Sequence, residues 1–256
     1  MPSANVTEQR ISPGKLPAHV AVIMDGNGRW AQKRGLPRAQ GHRAGMDAVR
    51  TVVTECRSLG IPYLTLYAFS RENWHRPKEE VNFLFDLFRS FLKQELPLMI
   101  EQDIRLAFIG EKDDLPFPAR NALDYALEKT RANNSMTLTL AISYSGREEI
   151  LRAARCLLES RTPPEHVTEE TFRNSLYDPS LPDPDLVIRT SGEKRISNFL
   201  LFQSAYAEYF FSPVLWPDFT SRELHMALQD FSRRDRRYGR TDGQSCVASR
   251  KEKEHE

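Results

Sequence analysis

The chain of 256 residues carries 36 Lys and Arg against 35 Asp and Glu, a formal net charge of +1. That balance excludes a globally basic nucleic-acid binder and a protein with a long acidic tail. With 40% hydrophobic and 28% charged residues, the composition is that of a globular chain rather than a disordered one.

No run of about 18 apolar residues is present, so no bilayer-spanning helix is expected. Met1 to Lys15 lacks the apolar stretch of a secretory signal. The three cysteines, Cys56, Cys156 and Cys246, form no CxxC pair and read as reduced structural residues in a cytoplasmic protein. Residues 1–17 are polar and Pro-containing and read as a flexible arm, and 240–256 read as a polar tail. Residues 18–239 carry no internal repeat or linker, and their length suits one α/β domain.

The first apolar run, His19–Met24, predicts a strand that ends in Asp25-Gly26-Asn27-Gly28-Arg29-Trp30. In a parallel sheet the C-terminal end of a strand faces the ligand crevice. An aspartate there is well placed for a metal or a proton, the glycines admit close approach of an anion, and Arg29 offers a planar donor fork. The same residues also make an ordinary Asx turn. Arg38, His42 and Arg43 follow, at the start of a helix read as Arg43–Leu59 and ended by Gly60.

A second strand, Tyr63–Phe69, runs into Ser70-Arg71-Glu72-Asn73-Trp74-His75-Arg76-Pro77, which offers hydrogen-bonding groups, an indole and a cation. Pro77 opens a helix over about 78–102 that is apolar over most of its girth. It is either a central core helix or one wall of a cavity for a long hydrocarbon. Strands at Ile104–Ile109 and Thr137–Ser143 and helices at Pro118–Arg131, Arg147–Ser160 and Thr168–Ser175 follow. The strand Asp185–Thr190 ends in Arg189, and Gly192, Arg195, Ile196 and Ser197 come next. An arginine closing a buried strand needs a partner, and an anionic ligand would serve. A helix at Asn198–Ala205, a strand at Glu208–Phe211 and a helix at Ser221–Arg234 complete the pattern. Glu208 offers either a metal ligand or a charge partner for an arginine.

Strands alternating with helices predict a central, mostly parallel six-stranded sheet flanked by helices. Three strand ends carry polar and cationic groups, and an apolar helix follows the second. The pattern suits an amphiphile, with phosphates at the rim and hydrocarbon inside. It gathers Arg29, Arg38, Arg76, Arg189 and Arg195 at one crevice, with acids spread elsewhere.

The runs HVAVIMDGNGRWA at 19–31, GHRAG at 41–45, LTLYAFSRENWHRP at 64–77, DLVIRTSGEKRISNFLLFQSAYAE at 185–208 and LWPDF at 215–219 resemble the cis-prenyltransferase family, the undecaprenyl diphosphate synthases in particular. The resemblance spans about 19–240. It implies an open α/β fold enclosing an apolar tunnel. It also implies Mg²⁺-dependent, sequential condensation of isopentenyl diphosphate onto farnesyl diphosphate, giving a long-chain, undecaprenyl-like lipid carrier for cell-wall glycan synthesis. By position it implies catalytic roles for Asp25 and Asn73, and metal ligation by Asp25 and Glu208. Gly26, Asn27, Gly28, Arg29, Trp30, Arg38 and His42 match the allylic diphosphate cradle. Ser70, Arg71, Glu72, Trp74 and Arg76 match supporting contacts, and Arg189, Arg195, Ile196 and Ser197 the isopentenyl diphosphate site. Arg237-Tyr238-Gly239 resembles a segment that completes a neighbouring subunit's site, which implies a homodimer. A membrane-lipid product implies transient contact with the inner membrane face.

Lys194 stands where bacterial members often carry His, and Ser143-Tyr144-Ser145-Gly146 replaces a more usual Asn-Tyr-Gly-Gly. Three rival readings are weaker. A non-catalytic binding subunit that keeps the fold but has lost its chemistry is opposed by the intact Asp25, Arg189, Arg195 and Ser197. A phosphotransferase with Asp25 as nucleophile would want a second acid two residues on, where Asn27 stands. A nucleic-acid backbone binder would want an exposed basic stripe, which the sequence lacks.

Overall fold

A computed structural model of the chain describes residues 16–234. The strands are β1 (His19–Ile23), β2 (Tyr63–Ser70), β3 (Ile104–Ile109), β4 (Met136–Tyr144), β5 (Leu186–Arg189) and β6 (Glu208–Phe211). They form one six-stranded sheet in the order β3-β4-β2-β1-β5-β6, and every neighbouring pair is parallel. The helices are α1 (Asn27–Lys33), α2 (Arg38–Ser58), α3 (Lys78–Glu101), α4 (Phe117–Thr130), α5 (Gly146–Glu159), α6 (Glu169–Arg173) and α7 (Ser221–Arg233).

The fully buried run of β1 shows how the layers form. Val20 and Val22 face a large core with residues of α2, α3, α4 and α7, while Ala21 and Ile23 face a smaller one closed by Phe199 and Leu200. Alternate side chains of a strand point to opposite faces, so a strand covered on both sides is apolar throughout. Leu16 already packs on the larger core.

Three expectations are corrected. The Asp25–Trp30 segment is not a simple turn, because α1 starts at Asn27 directly after Gly26, which sits at φ 115°. α2 begins five residues before Arg43, with Pro37 just ahead of its first residue. No helix forms over 198–205, where Ser197, Asn198 and Leu200 adopt positive φ and the chain runs as turns. Successive left-handed residues cannot propagate a right-handed helix; they turn Phe199 and Leu200 into the smaller core instead. The Arg237-Tyr238-Gly239 segment, Cys246 and the terminal segments 1–15 and 240–256 lie outside the described residues.

The register places the site. β2, β1 and β5 are adjacent, so Ser70, Asp25 and Arg189 leave neighbouring strands at one edge of the sheet. β2 also shifts register around Ala68, the residue between Tyr67 and Phe69. An irregularity of this kind re-aims a side chain, and Ala68 lines both pockets of the site.

α2 approaches α1 so closely that a Cβ on Gly41 would lie 2.0 Å from the carbonyl oxygen of Asn27. Gly41→Ala is expected to destabilise the fold by about 1–3 kcal/mol through overpacking. Thermal unfolding would read this as a midpoint several degrees lower. An unchanged midpoint would show that α1 moves aside freely.

Candidate active site at three adjacent strand ends

Arg189 is 4% exposed, and burying its charge requires partners. Its Nη2 donates to Asp25 Oδ2 at 2.9 Å, and its Nη1 donates to Ser197 Oγ at 2.6 Å and to the Arg195 carbonyl at 2.5 Å. The other oxygen of Asp25 meets Arg29 Nη2 at 3.0 Å. Burial opposes ionisation of Asp25, but the two guanidiniums outweigh it and hold its pKa below the usual carboxylate range. Asp25 is therefore an anion at neutral pH, fixed between two cations.

A second carboxylate, unremarked in the sequence reading, organises the other rim. Glu80, in the first turn of α3, meets Arg38 Nε at 3.2 Å, Arg76 Nη1 at 3.1 Å and His42 Nε2 at 3.5 Å. Burial lowers the pKa of His42 to about 4, and the Arg76 charge adds to that effect, so the ring is neutral at pH 7. Glu193 joins Arg29 at 3.0 Å and also pairs with Arg195. The acids are thus interleaved with the arginines rather than spread elsewhere. Asp25, Glu80 and Glu193 between them pair with all five arginines, leaving an excess of two positive charges among these groups. The sequence signal for Glu80 was its place four residues after Arg76, just beyond the Pro77 that opens α3.

Ser70 and Asn73 brace the 3-10 turn Arg71–His75, where Asn73 Oδ1 accepts the Ser70 backbone N–H at 3.1 Å. Glu72 accepts from Asn198 Nδ2 at 2.9 Å. The Trp74 indole stacks on Phe85 at 5.2 Å and donates to Ser143 Oγ at 2.9 Å. Ser143 in turn donates to Asp114 at 2.6 Å, and Ser145 caps α5 and accepts from Asn198 at 2.8 Å. The two serine departures therefore have bonded roles beside the site, and Lys194 is exposed.

Two pockets meet here. The polar one, about 500 Å³, is lined by Asp25, Ser70, Glu72, Asn73, Arg76, Arg189 and Ser197, among others. The apolar one, about 110 Å³, lies between α2, α3 and the sheet, with Phe85, Phe88 and Phe91 in its wall. Met24, Asn27, His42, Ala68 and Leu84 line both. The helix α3 is thus both a core helix and a cavity wall. The apolar pocket is the smaller of the two, and its lining is mostly hydrophobic side chains. Asn27 Oδ1, His42 Nε2 and Arg189 Nε are buried with no hydrogen-bond partner in the protein, which suits a site that receives a polar ligand.

Other expected residues lie at the rim or further off. Arg38 and Arg195 are each 60% exposed, and Arg71 is exposed. Gly28 makes room for Arg38, whose Nη1 would lie 2.8 Å from a Cβ there. Ile196 is partly buried in the loop that carries the Arg195 carbonyl to Arg189. Trp30 donates to Asp218 at 2.6 Å and lines neither pocket. Glu208 pairs with Leu186, not Arg189, in the β5–β6 register. It therefore sits about 10 Å back along the strand direction, three residues at ~3.3 Å each, where it binds Arg234 at 2.6 Å. Within one chain, Asp25 and Glu208 do not share an ion.

The buried neutral His42 has a pH signature. The unfolded chain takes up this proton near pH 6.5 and the folded chain only near pH 4. Folding stability therefore falls as pH drops across that window, and buried His19, lowered to about 4, acts in the same direction. His42→Gln should make stability measured by urea unfolding less pH-dependent between pH 6.5 and 4. An unaltered slope would contradict the buried neutral ring.

The comparisons with known proteins agree with this geometry. A family model described as "Putative undecaprenyl diphosphate synthase" matches residues 23–239. The chain is 50% identical over 227 residues to an isoprenyl transferase of Thermotoga maritima, covering 88% of this chain and 97% of that protein. It is 47% identical to one of Clostridium perfringens, covering 88% and 90%. Among solved structures it is similar to lavandulyl diphosphate synthase from Lavandula x intermedia in complex with dimethylallyl diphosphate. That match has a TM-score of 0.86 and 36% identity, covering 88% of this chain and 99% of that one. A probable undecaprenyl diphosphate synthase from Campylobacter jejuni gives a TM-score of 0.74 at 35% identity, with the same coverage. The fold, the strand-end site and these relatives place the chain in the undecaprenyl diphosphate synthase family of isoprenyl transferases, enzymes of cis-prenyl chain elongation.

Proposed function

We propose that this enzyme condenses isopentenyl diphosphate repeatedly onto farnesyl diphosphate, with Mg²⁺, and releases a long polyprenyl diphosphate of the undecaprenyl class for use as a cell-wall lipid carrier. The observation that carries this reading is the junction of the two pockets. A cation-rimmed polar chamber opens through Met24, Asn27, His42, Ala68 and Leu84 into an apolar one. A diphosphate with a hydrocarbon tail matches that division, and each buried methylene contributes about 0.8 kcal/mol. The solved plant relative is in complex with dimethylallyl diphosphate, which supports the same ligand chemistry here.

The residues fit a magnesium ion that arrives with its substrate. Magnesium takes one or two carboxylates and fills its shell with phosphate oxygens and water. Asp25 is such a carboxylate, and among the described residues no cluster of three His, Cys, Asp or Glu forms a protein cage. When bound, the ion would neutralise charge building on the departing diphosphate. Arg29, Arg38, Arg76 and Arg189 supply fixed donors for the same charge. The isopentenyl π bond forms a C–C bond to the allylic C1 as the C1–O bond breaks and diphosphate leaves with the electron pair. Loss of a C2 proton then restores a double bond. Asn73 is a neutral amide already engaged with Ser70, so it orients the substrate, and a substrate phosphate takes the proton. Arg195, Ile196 and Ser197 form the loop that presents the isopentenyl diphosphate to Arg189. A metal role for Glu208 would require a second chain, in keeping with a homodimer. Among the described residues no helix is long and apolar enough to cross a membrane; the apolar tail of the product is what would bring the enzyme into transient contact with the inner membrane face.

The decisive assay incubates the protein with farnesyl diphosphate, labelled isopentenyl diphosphate and Mg²⁺ and sizes the lipid. Absence of elongation by folded protein would overturn the reading. Asp25→Ala should lower turnover by orders of magnitude in a folded protein, because it removes the anion that fixes Arg29 and Arg189. Unchanged turnover would remove Asp25 from the mechanism. Ala68→Leu, which places bulk at the pocket junction, should shorten the products; an unaltered length distribution would show that the chain runs elsewhere.

A further inference from the structure

Near its end β4 carries one residue more than the strand beside it. Phe69 pairs with Ile142 and Ser70 with Tyr144, so Ser143 has no counterpart on β2. Ser143 is left-handed, at φ 49°, and 1% exposed. A non-glycine residue in that conformation is strained and persists only where its surroundings hold it, and a bulge of this kind re-aims a side chain.

The Ser143 hydroxyl lies between groups from two other elements. It accepts the Trp74 indole N–H at 2.9 Å and donates to Asp114 Oδ2 at 2.6 Å. An indole N–H can only donate, so Ser143 Oγ must accept, and its single proton is left for the carboxylate. The end of β3 brings Asp114 there. Gly110, at φ 125°, approaches β4 so closely that a Cβ on it would lie 2.1 Å from the Ile142 carbonyl oxygen. Glu111 then donates its N–H to the Ser143 carbonyl at 3.3 Å. The turn Lys112–Asp114 is fastened to α4 by Lys112 with Asp124 at 2.6 Å and by Arg120 with Asp113 at 3.0 Å.

Trp74 is the receiving end of this chain. Its indole packs on Phe69 at 5.1 Å and on Phe85 at 5.2 Å, and both phenylalanines line the apolar pocket. Trp74 itself lines neither pocket, whereas Asn73 and Arg76 of the same segment line the polar one. We propose that Asp114 and Ser143 are positioning residues for the reaction: through the Trp74 indole they hold Asn73 and Arg76 at the polar chamber and Phe85 in the wall of the apolar one. A small misplacement of such groups costs turnover out of proportion to the stability lost. The inference rests on the chain-elongation reading.

The test measures elongation from farnesyl diphosphate and labelled isopentenyl diphosphate with Mg²⁺. Alongside it, a nitrogen–proton correlation spectrum follows the Trp74 indole N–H resonance, assigned by its loss in Trp74→Phe. Elongation by the unaltered protein tests the elongation reading by itself. Ser143→Ala should lower kcat about tenfold, with KM for both diphosphates little changed, and should move the indole resonance. Asp114→Ala, at an exposed side chain, should move both readouts in the same direction, and adding it to Ser143→Ala should change neither further. Ser143→Asn is the rescue, because asparagine tolerates the left-handed backbone and its Oδ1 accepts the indole N–H without help from Asp114. It should restore kcat, and Asp114→Ala in that background should have no effect. If Ser143→Ala does not fold, Asp114→Ala alone and in the Ser143→Asn background carries the test. A merely structural role predicts a lower thermal midpoint with kcat of the folded protein unchanged, and that result in the alanine variants would overturn the proposal. So would a loss of kcat with the indole resonance unmoved, or additive effects of the two alanine substitutions.

Discussion

The ion pair between Asp25 and Arg189 joins two adjacent strand ends, and the rest of the site is arranged around it. Arg189 is nearly fully buried, so its charge is tolerable only while Asp25, Ser197 and the Arg195 carbonyl hold it. Those contacts in turn bind the loop after β5, with its left-handed Ser197 and Asn198, to the end of β1. Asn198 carries the connection on to Glu72 and Ser145. One buried cation thereby ties together the loops that leave three neighbouring strands.

The same arrangement sets a polarity boundary. The guanidiniums and their carboxylates lie at the sheet edge, and the Phe-rich wall of α3 begins one helical turn away. Glu80 stands at this boundary with Arg38, Arg76 and His42 around it. Glu80 and Glu193 hold the arginines in position, and under the proposed function an arriving diphosphate would compete with these acids for them. His42 remains neutral because its burial and the nearby arginine charge both oppose protonation. It can then face an apolar tail and a polar head at the same junction.

Much of the fold was legible in the sequence because parallel strands covered on both faces are largely apolar, as in residues 20–23 of β1 and 186–188 of β5. The strand ends were legible for the same reason, since polar residues such as Asp25, Ser70 and Arg189 interrupt those runs. Segment 198–205 was misread because its apolar residues have helical spacing, while the need to cover Tyr67 and Val187 with Phe199 and Leu200 overrides local preference. Glu80 was missed because an acid in a first helical turn looks like ordinary helix chemistry. Glu208 was assigned by position, and only the β5–β6 register shows that it lies away from Asp25 in its own chain.

The sequence by itself determined the α/β class, the strand ends that carry charge and the resemblance to the family, because these depend on local residue type, hydropathy period and motif. The tertiary structure decided which strand ends are neighbours, how the cations are paired and which residues line the apolar pocket. Those properties depend on strand order and on contacts between residues more than a hundred positions apart, such as Asp25 with Arg189, and no local pattern encodes them.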